Sequence, residues 1–121
     1  MDSSVARCLR QIAQVREVAA GVESAYVGRS RLARLILNVN RLVCKRLGIP
    51  APDRLCRVPV PECQEARFGM VLETCNRLTD AVKTMAQPSE PLDQRWRAGW
   101  TVLIAELTTL ERQLELIAEH P

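Results

Sequence analysis

Apolar side chains recur at alternating steps of three and four residues along four stretches of this chain, the spacing that lines one face of an α-helix. The most regular stretch lies between Pro91 and Pro121. Its apolar positions are Trp96, Trp100, Leu103, Leu107, Leu110, Leu114 and Ile117. Burying seven such side chains contributes about 1.5–3 kcal/mol each before the entropy of ordering is subtracted. Other helices must therefore cover this face.

Three earlier stretches predict the helices that provide this cover. The first stripe consists of Val5, Cys8, Ile12, Val15, Ala19, Val22 and Tyr26. The second consists of Leu32, Leu35, Ile36, Val39, Leu42, Val43 and Leu47, and the third of Phe68, Val71, Cys75, Leu78, Val82 and Met85. Together the four stretches predict helices over approximately residues 4–27, 30–47, 61–86 and 92–119.

Capping residues and prolines set the predicted helix ends. Ser3 or Ser4 can cap the first helix, and 28–30 reads as a turn in which Ser30 caps the second helix. Gly48 suits the left-handed position after that helix, and Pro50 prevents its continuation.

Prolines also predict how the third and fourth helices begin. Pro61 suits the first position of the third helix, with the acids Glu62 and Glu65 in its first turn. Residues 87–91 predict a short turn, after which Asp93 falls in the first turn of the last helix.

The segment between the second and third helices contains four prolines within residues 49–61, here named the strap. Proline fixes its backbone angle and donates no hydrogen bond, so the strap is predicted to be extended and to lie along the surface. Leu55, Cys56 and Val58 are the side chains expected to hold it down.

Four amphipathic helices with short connections predict an all-α fold, an antiparallel four-helix bundle formed as one domain over residues 1–121. The length of 121 residues suits a single core. The alternative is an extended coiled-coil dimer, because the last helix keeps a heptad pattern for three repeats.

The composition is that of a globular protein, with 47% hydrophobic and 26% charged residues. Aromatic residues make up only 3%, which favours helices over a β-sandwich. No window approaches 18 uninterrupted apolar residues, and the first four residues lack the order of a secretory signal. We therefore expect a cytoplasmic protein.

Catalytic and metal-binding motifs are absent from the sequence. It has no GxSxG, glycine-rich phosphate loop or HExxH, and its one histidine, His120, lies next to the last residue. The five cysteines contain no CxxC spacing, and Cys8, Cys63 and Cys75 lie on or beside apolar stripes, so buried reduced thiols are expected. We expect no enzyme activity, cofactor, metal or small-molecule substrate.

The charge is divided unevenly along the chain. Residues 1–48 carry nine basic and three acidic side chains, whereas residues 49–121 carry eight and eleven. On the second helix, four residues at helical spacing form a polar face opposite the apolar one, here named the cationic stripe: Arg34, Asn38, Arg41 and Lys45.

Two sets of residues are candidates for binding. Cations of the second helix are candidates for anionic lipid or an acidic partner: Arg29, Arg31, Arg34, Arg41, Lys45 and Arg46. Their alternative role is a solvated face that pairs with the acidic half of the chain. The last helix offers core anchors or an interface: Trp96, Trp100, Leu103, Leu107 and Leu110.

The arrangement resembles the four-helix domains of the HeLo type, which include the amino-terminal bundle of the mixed lineage kinase domain-like pseudokinase and plant relatives. The resemblance rests on the length, the long second connection, the basic second helix over 29–47, and the order of the last two helices. The run 98–103 is also similar to the small-then-Trp opening of the last helix in plant members. The resemblance implies self-assembly and attachment to anionic membranes through Arg31, Arg34, Arg41 and Lys45.

The first functional hypothesis is therefore a helical module that self-associates or docks a protein partner, with recruitment to anionic lipid. The second is a small cytosolic chaperone or adaptor whose groove holds a partner's helix. Association with nucleic acid is the weakest hypothesis, because no aromatic residues interleave with the arginines and the isoelectric point is only about 8.8.

Overall fold

A computed structural model of the chain describes residues 3–21, 25–62, 65–86 and 92–119, with the side chains of residues 21, 25–30, 86 and 92–95 outside the description. The described part contains four helices and no strand. They are α1 (Ser3–Gly21), α2 (Ala25–Leu47), α3 (Ala66–Ala86) and α4 (Leu92–Glu119).

The helices form a ring in chain order. Helix α1 packs on α2, α2 on α3, α3 on α4, and α4 returns to α1. Contacts between side chains give the directions. Arg16 of α1 meets Glu111 of α4, while Trp100, earlier in α4, meets Ala19, later in α1, so these helices are antiparallel. The all-α antiparallel four-helix bundle predicted from the sequence is confirmed.

The core is the space enclosed by the four apolar stripes. All predicted stripe residues from Val5 to Ala19 in α1 and from Leu103 to Ile117 in α4 are no more than 2% exposed. Because Leu103, Leu107 and Leu110 are fully buried within one chain, the heptad of α4 packs inside the molecule. The extended coiled-coil dimer is therefore not needed to cover it.

The predicted boundary between the first two helices is wrong. Helix α1 ends at Gly21 instead of residue 27, and α2 begins at Ala25, so the predicted turn at 28–30 is helical and Ser30 is not an N-cap. The connection falls at residues 22–24, outside the described residues. Gly21 therefore stands at the end of a helix, where glycine is common, and the propensity cost of Gly28 within α2 is only about 1 kcal/mol.

The end of α2 follows the prediction. Gly48 has a positive φ of 75°, its N–H donates to the carbonyl of Lys45 at 3.2 Å, and the N–H of Ile49 donates to the carbonyl of Cys44 at 3.0 Å. This pair of bonds defines a Schellman motif, in which the left-handed residue reverses the chain. Ile49 then packs against the core.

The strap lies along α3 and runs in the opposite direction. Arg57 pairs with Asp80, Val58 bonds to Asn76, and Val60 lies beside Gly69. The backbone N–H of Val58 donates to Asn76 Oδ1 at 2.6 Å, and Asn76 Nδ2 donates to the carbonyl of Val58 at 2.9 Å. As expected, Val58 is buried and Leu55 packs against the core.

The predicted start of the third helix is wrong. Helix α3 begins at Ala66 and has no acid in its first turn, so Pro61, Glu62 and Glu65 all precede it. The N–H groups of Phe68 and Gly69 donate to the carbonyl of Glu65, which makes Glu65 the capping residue. The chain must reverse between the strap and α3, and Pro61, Glu62 and Glu65, which were predicted to be helical, precede the helix for that reason.

The start of the last helix agrees in position with the prediction. Helix α4 begins at Leu92, which places Asp93 in its first turn. The predicted turn at 87–91 lies outside the described residues.

Candidate functional site

The cationic stripe lies on the solvent side of α2. Arg34, Asn38, Arg41 and Lys45 are all exposed, and Arg31 is exposed beside them. The helix places them there because the buried residues Leu32, Val39 and Val43 occupy its opposite face. The stripe and Arg31 extend about 21 Å along the helix axis.

Four ion pairs within the described residues lie away from this surface. They join Arg16 to Glu111, Arg57 to Asp80, Arg67 to Glu65 and Arg77 to Glu106. Within the described ranges, no carboxylate pairs with the cations of the stripe or with Arg31. Carboxylates of the described residues therefore do not occupy them.

A polar groove lies between α1 and α2, here named the α1–α2 groove. Its volume is about 590 Å³, and its lining residues are Arg7, Arg10, Gln11, Gln14, Leu42 and Lys45. The lining contains three cations and no acid. The two glutamines add amide groups that both donate and accept hydrogen bonds.

A second groove lies on the other side of Leu42 and Lys45, where the chain leaves α2. It measures about 410 Å³, and its lining residues are Asn38, Arg41, Leu42, Lys45, Ile49 and Ala51. Leu42 and Lys45 line both grooves, so they form a ridge with cations on either side. The outer surface of α2 is therefore a cationic surface with two recesses.

Sequence reasoning missed the contribution of α1 to this surface. Arg7 and Arg10 were counted only in the charge of the first 48 residues, and Gln11 and Gln14 were not considered. The spacing of Arg7, Arg10 and Gln14 by three and four residues is a signal that could have found them. Which face of α1 adjoins α2 becomes known only from the fold.

The other cations proposed for α2 have different positions. Arg29 lies in the first turns of α2, but its side chain is outside the described residues. Arg46 is half-buried, unlike the exposed residues of the stripe, and takes part in an interaction within the folded chain.

The candidate residues of α4 divide into core and rim. Leu103, Leu107 and Leu110 are fully buried, and Trp96 packs partly against the core. Trp100 remains 37% exposed, and its indole Nε1–H donates to the carbonyl of Ala19 at 3.3 Å. Trp100 therefore joins α4 to the last turn of α1 at the rim.

Three cysteines lie in the core on three different helices. Cys8, Cys44 and Cys75 are at most 1% exposed, and among the described residues no cysteine forms a disulfide. Burial raises the pKa of the Cys75 thiol, and the neighbouring thiols of Cys44 and Cys8 raise it further. Burial also raises the pKa of Cys44. Cys63 lies outside the described residues.

Two other kinds of feature are absent from the described ranges. No group of three or more His, Cys, Asp or Glu side chains there could hold a metal ion. None of the described helices combines the length and apolar character needed to cross a bilayer.

Comparison with known proteins found no matching protein family, no matching curated protein and no matching solved structure.

Proposed function

We propose that this protein is a non-enzymatic helical interaction module that attaches to anionic membrane surfaces through the outer face of α2. The observation that supports this function is the row of exposed cations on α2 that have no acidic partner among the described residues. The resemblance to HeLo-type domains and the cytoplasmic location belong to the same proposal.

The strength of this attachment can be bounded from the number of cations. Each Lys or Arg close to an anionic bilayer contributes about 1 kcal/mol. Arg31 with Arg34, Arg41 and Lys45 would therefore supply about 4 kcal/mol, which corresponds to a dissociation constant of about 1 mM. A single copy binds weakly and reversibly, and two linked copies would bind far more tightly.

The test is co-sedimentation with vesicles of phosphatidylcholine that do or do not contain phosphatidylserine. The wild-type protein should sediment only with the anionic vesicles, and should lose binding as added salt screens the charges. The charge reversal R34E/R41E/K45E should abolish binding while circular dichroism shows unchanged helicity.

A matched control reverses three exposed cations elsewhere, R54E/K83E/R97E, and changes the net charge by the same amount. This variant should keep most of the binding, because its substitutions lie in the strap, α3 and α4. Equal loss of vesicle binding in both variants would show that only the net charge of the protein matters. Unchanged sedimentation of R34E/R41E/K45E with anionic vesicles would overturn membrane attachment through α2.

Two other functions give different results in the same set of experiments. A chaperone or adaptor for a partner's helix would copurify with one polypeptide and show no dependence on lipid or salt. Binding to arbitrary duplex DNA in a gel-retardation assay would instead support association with nucleic acid.

A further inference from the structure

The last turns of α4 present an acidic surface that the membrane proposal does not use. Glu115 and Glu119 are exposed, and between them Leu116 is 56% exposed. No ion pair engages either carboxylate within the described part of the chain. Arg112 is exposed one turn earlier, so this end carries two acids and one base around an apolar side chain.

The α1–α2 groove has the complementary pattern. Arg7, Arg10 and Lys45 surround Leu42, which is only partly buried, and no acid lines the groove. Neither arginine is engaged by a carboxylate of the described residues. An acidic segment with one central apolar residue is therefore the kind of partner that this groove fits.

Both surfaces lie at the same end of the bundle. Helices α1 and α4 are antiparallel and meet at Arg16 and Glu111. From that contact, Arg7 and Arg10 lie toward the start of α1, and Glu115 and Glu119 lie toward the end of α4. These four residues are therefore at similar heights along the bundle axis. The groove opens on the side of α1 that faces α2, whereas the acidic surface lies on the outer side of α4.

We infer that two copies of this chain associate, with the end of α4 from each copy docking in the α1–α2 groove of the other. Because both surfaces lie at one end of the molecule, one two-fold axis can form both contacts at once and close the assembly at a dimer. Leu116 packs on Leu42, and Glu115 and Glu119 pair with the cations of the groove.

This inference rests on the proposed function in one respect, since the dimer supplies the second cationic stripe that tight membrane attachment requires. Arg31, Arg34 and Arg41 lie outside the α1–α2 groove and stay available in the dimer. The interface itself needs no lipid.

The test is sedimentation equilibrium without lipid, over a wide range of protein concentration. At low salt the wild-type molar mass should rise from that of one chain to that of two, and high salt should return it to one. The variants R7E/R10E and E115K/E119K should each remain monomeric, and L116S should weaken the dimer. Weaker dimerisation of L116S despite unchanged charge separates apolar docking from general electrostatic attraction.

Mixing the two charge variants provides the decisive measurement. In a mixed pair, the negative groove of R7E/R10E meets the positive end of α4 from E115K/E119K. The unaltered groove of E115K/E119K meets the unaltered acidic end of R7E/R10E. Both contacts then join opposite charges, so the mixture should have the molar mass of a dimer. The control Glu17→Lys changes an exposed acid at the opposite end of α1 and should leave the wild-type dimer intact.

A wild-type protein that stays monomeric, or a mixture of folded variants that fails to associate, would overturn this inference. A monomer that still binds phosphatidylserine vesicles would overturn it and leave the proposed function standing. A dimer that does not bind those vesicles would support this inference and overturn membrane attachment.

Discussion

Gly99 shows how a single residue sets the distance between two helices. A Cβ atom added at Gly99 would lie 2.2 Å from Met85 Cγ and 3.0 Å from the carbonyl oxygen of Ala81. Both neighbours belong to α3, and Met85 is only 1% exposed, so it has little room to move. The absence of a side chain at Gly99 is therefore what lets α4 approach α3 closely.

The substitution Gly99→Ala should lower the free energy of unfolding by up to about 2 kcal/mol. The overlap with Met85 and the backbone of Ala81 costs about 1–3 kcal/mol, from which the gain in helix propensity of about 1 kcal/mol is subtracted. Gly69→Ala is the matched control, because its Cβ would lie 3.6 Å from Val60 Cγ1, an ordinary contact. Urea denaturation should show Gly69→Ala to be neutral or stabilising, and a stabilising Gly99→Ala would contradict the tight approach.

The buried thiol of Cys75 predicts a loss of stability in alkaline solution. Its pKa is raised above the ordinary value of 9.0, so it stays protonated in the folded chain while it ionises in the unfolded chain. The contribution of this thiol to the free energy of unfolding is therefore fully present below its ordinary pKa of 9.0. Above that pH the contribution falls by up to about 1.4 kcal/mol per pH unit. Urea denaturation of wild type and Cys75→Ala between about pH 8 and pH 10 should give a smaller slope for the variant. Identical slopes would contradict this role.

At the scale of elements, periodicity predicted the helices and their buried faces but could not place all their ends. Gly48, Ile49 and Pro50 determined the end of α2 correctly because the capping geometry depends on adjacent residues. The start of α3 depends instead on Val58 and Asn76, which are 18 residues apart and meet only in the folded chain. Local signals at Pro61 therefore could not show that the chain continues beside α3 before entering it.

The bonds between Asn76 and Val58 should be the main polar attachment of the strap. Asn76→Ala leaves the N–H and carbonyl of Val58 without partners in a buried position, at a cost of about 1–3 kcal/mol for each group. We expect a loss of about 2–6 kcal/mol in the free energy of unfolding and faster proteolysis within the strap. Asn38→Ala, an exposed asparagine on α2, should have little effect on either measurement.

The candidate site illustrates the same limit of sequence reasoning. The stripe on α2 was predictable because Arg34, Arg41 and Lys45 belong to one helix and share its period. The α1–α2 groove was not, because Arg7 and Arg10 join it through the packing of two helices. Charge segregation along the sequence indicated a basic half but gave neither its shape nor its recesses.

At the scale of the whole molecule, the buried leucines of α4 predict a fold that forms within one chain. In salt high enough to separate the proposed dimer, the melting temperature should not change with protein concentration, because unfolding then involves one chain. An obligate coiled-coil dimer would melt at a higher temperature as the concentration rises. Thermal denaturation followed by circular dichroism at several concentrations distinguishes these cases, and a marked concentration dependence would contradict the single-chain core.

The proximity of α1 and α4 also implies that the helices could be connected in a different order along the chain. Because these helices are antiparallel neighbours, the beginning of one and the end of the other lie at the same pole of the bundle. A short linker could join the start of α1 to the end of α4, and new chain ends could be made in another connection. Each helix would keep the same neighbours in such a permuted chain. The order in which the helices are synthesised is thus separable from their arrangement in space, and circularly permuted chains should fold to the same structure.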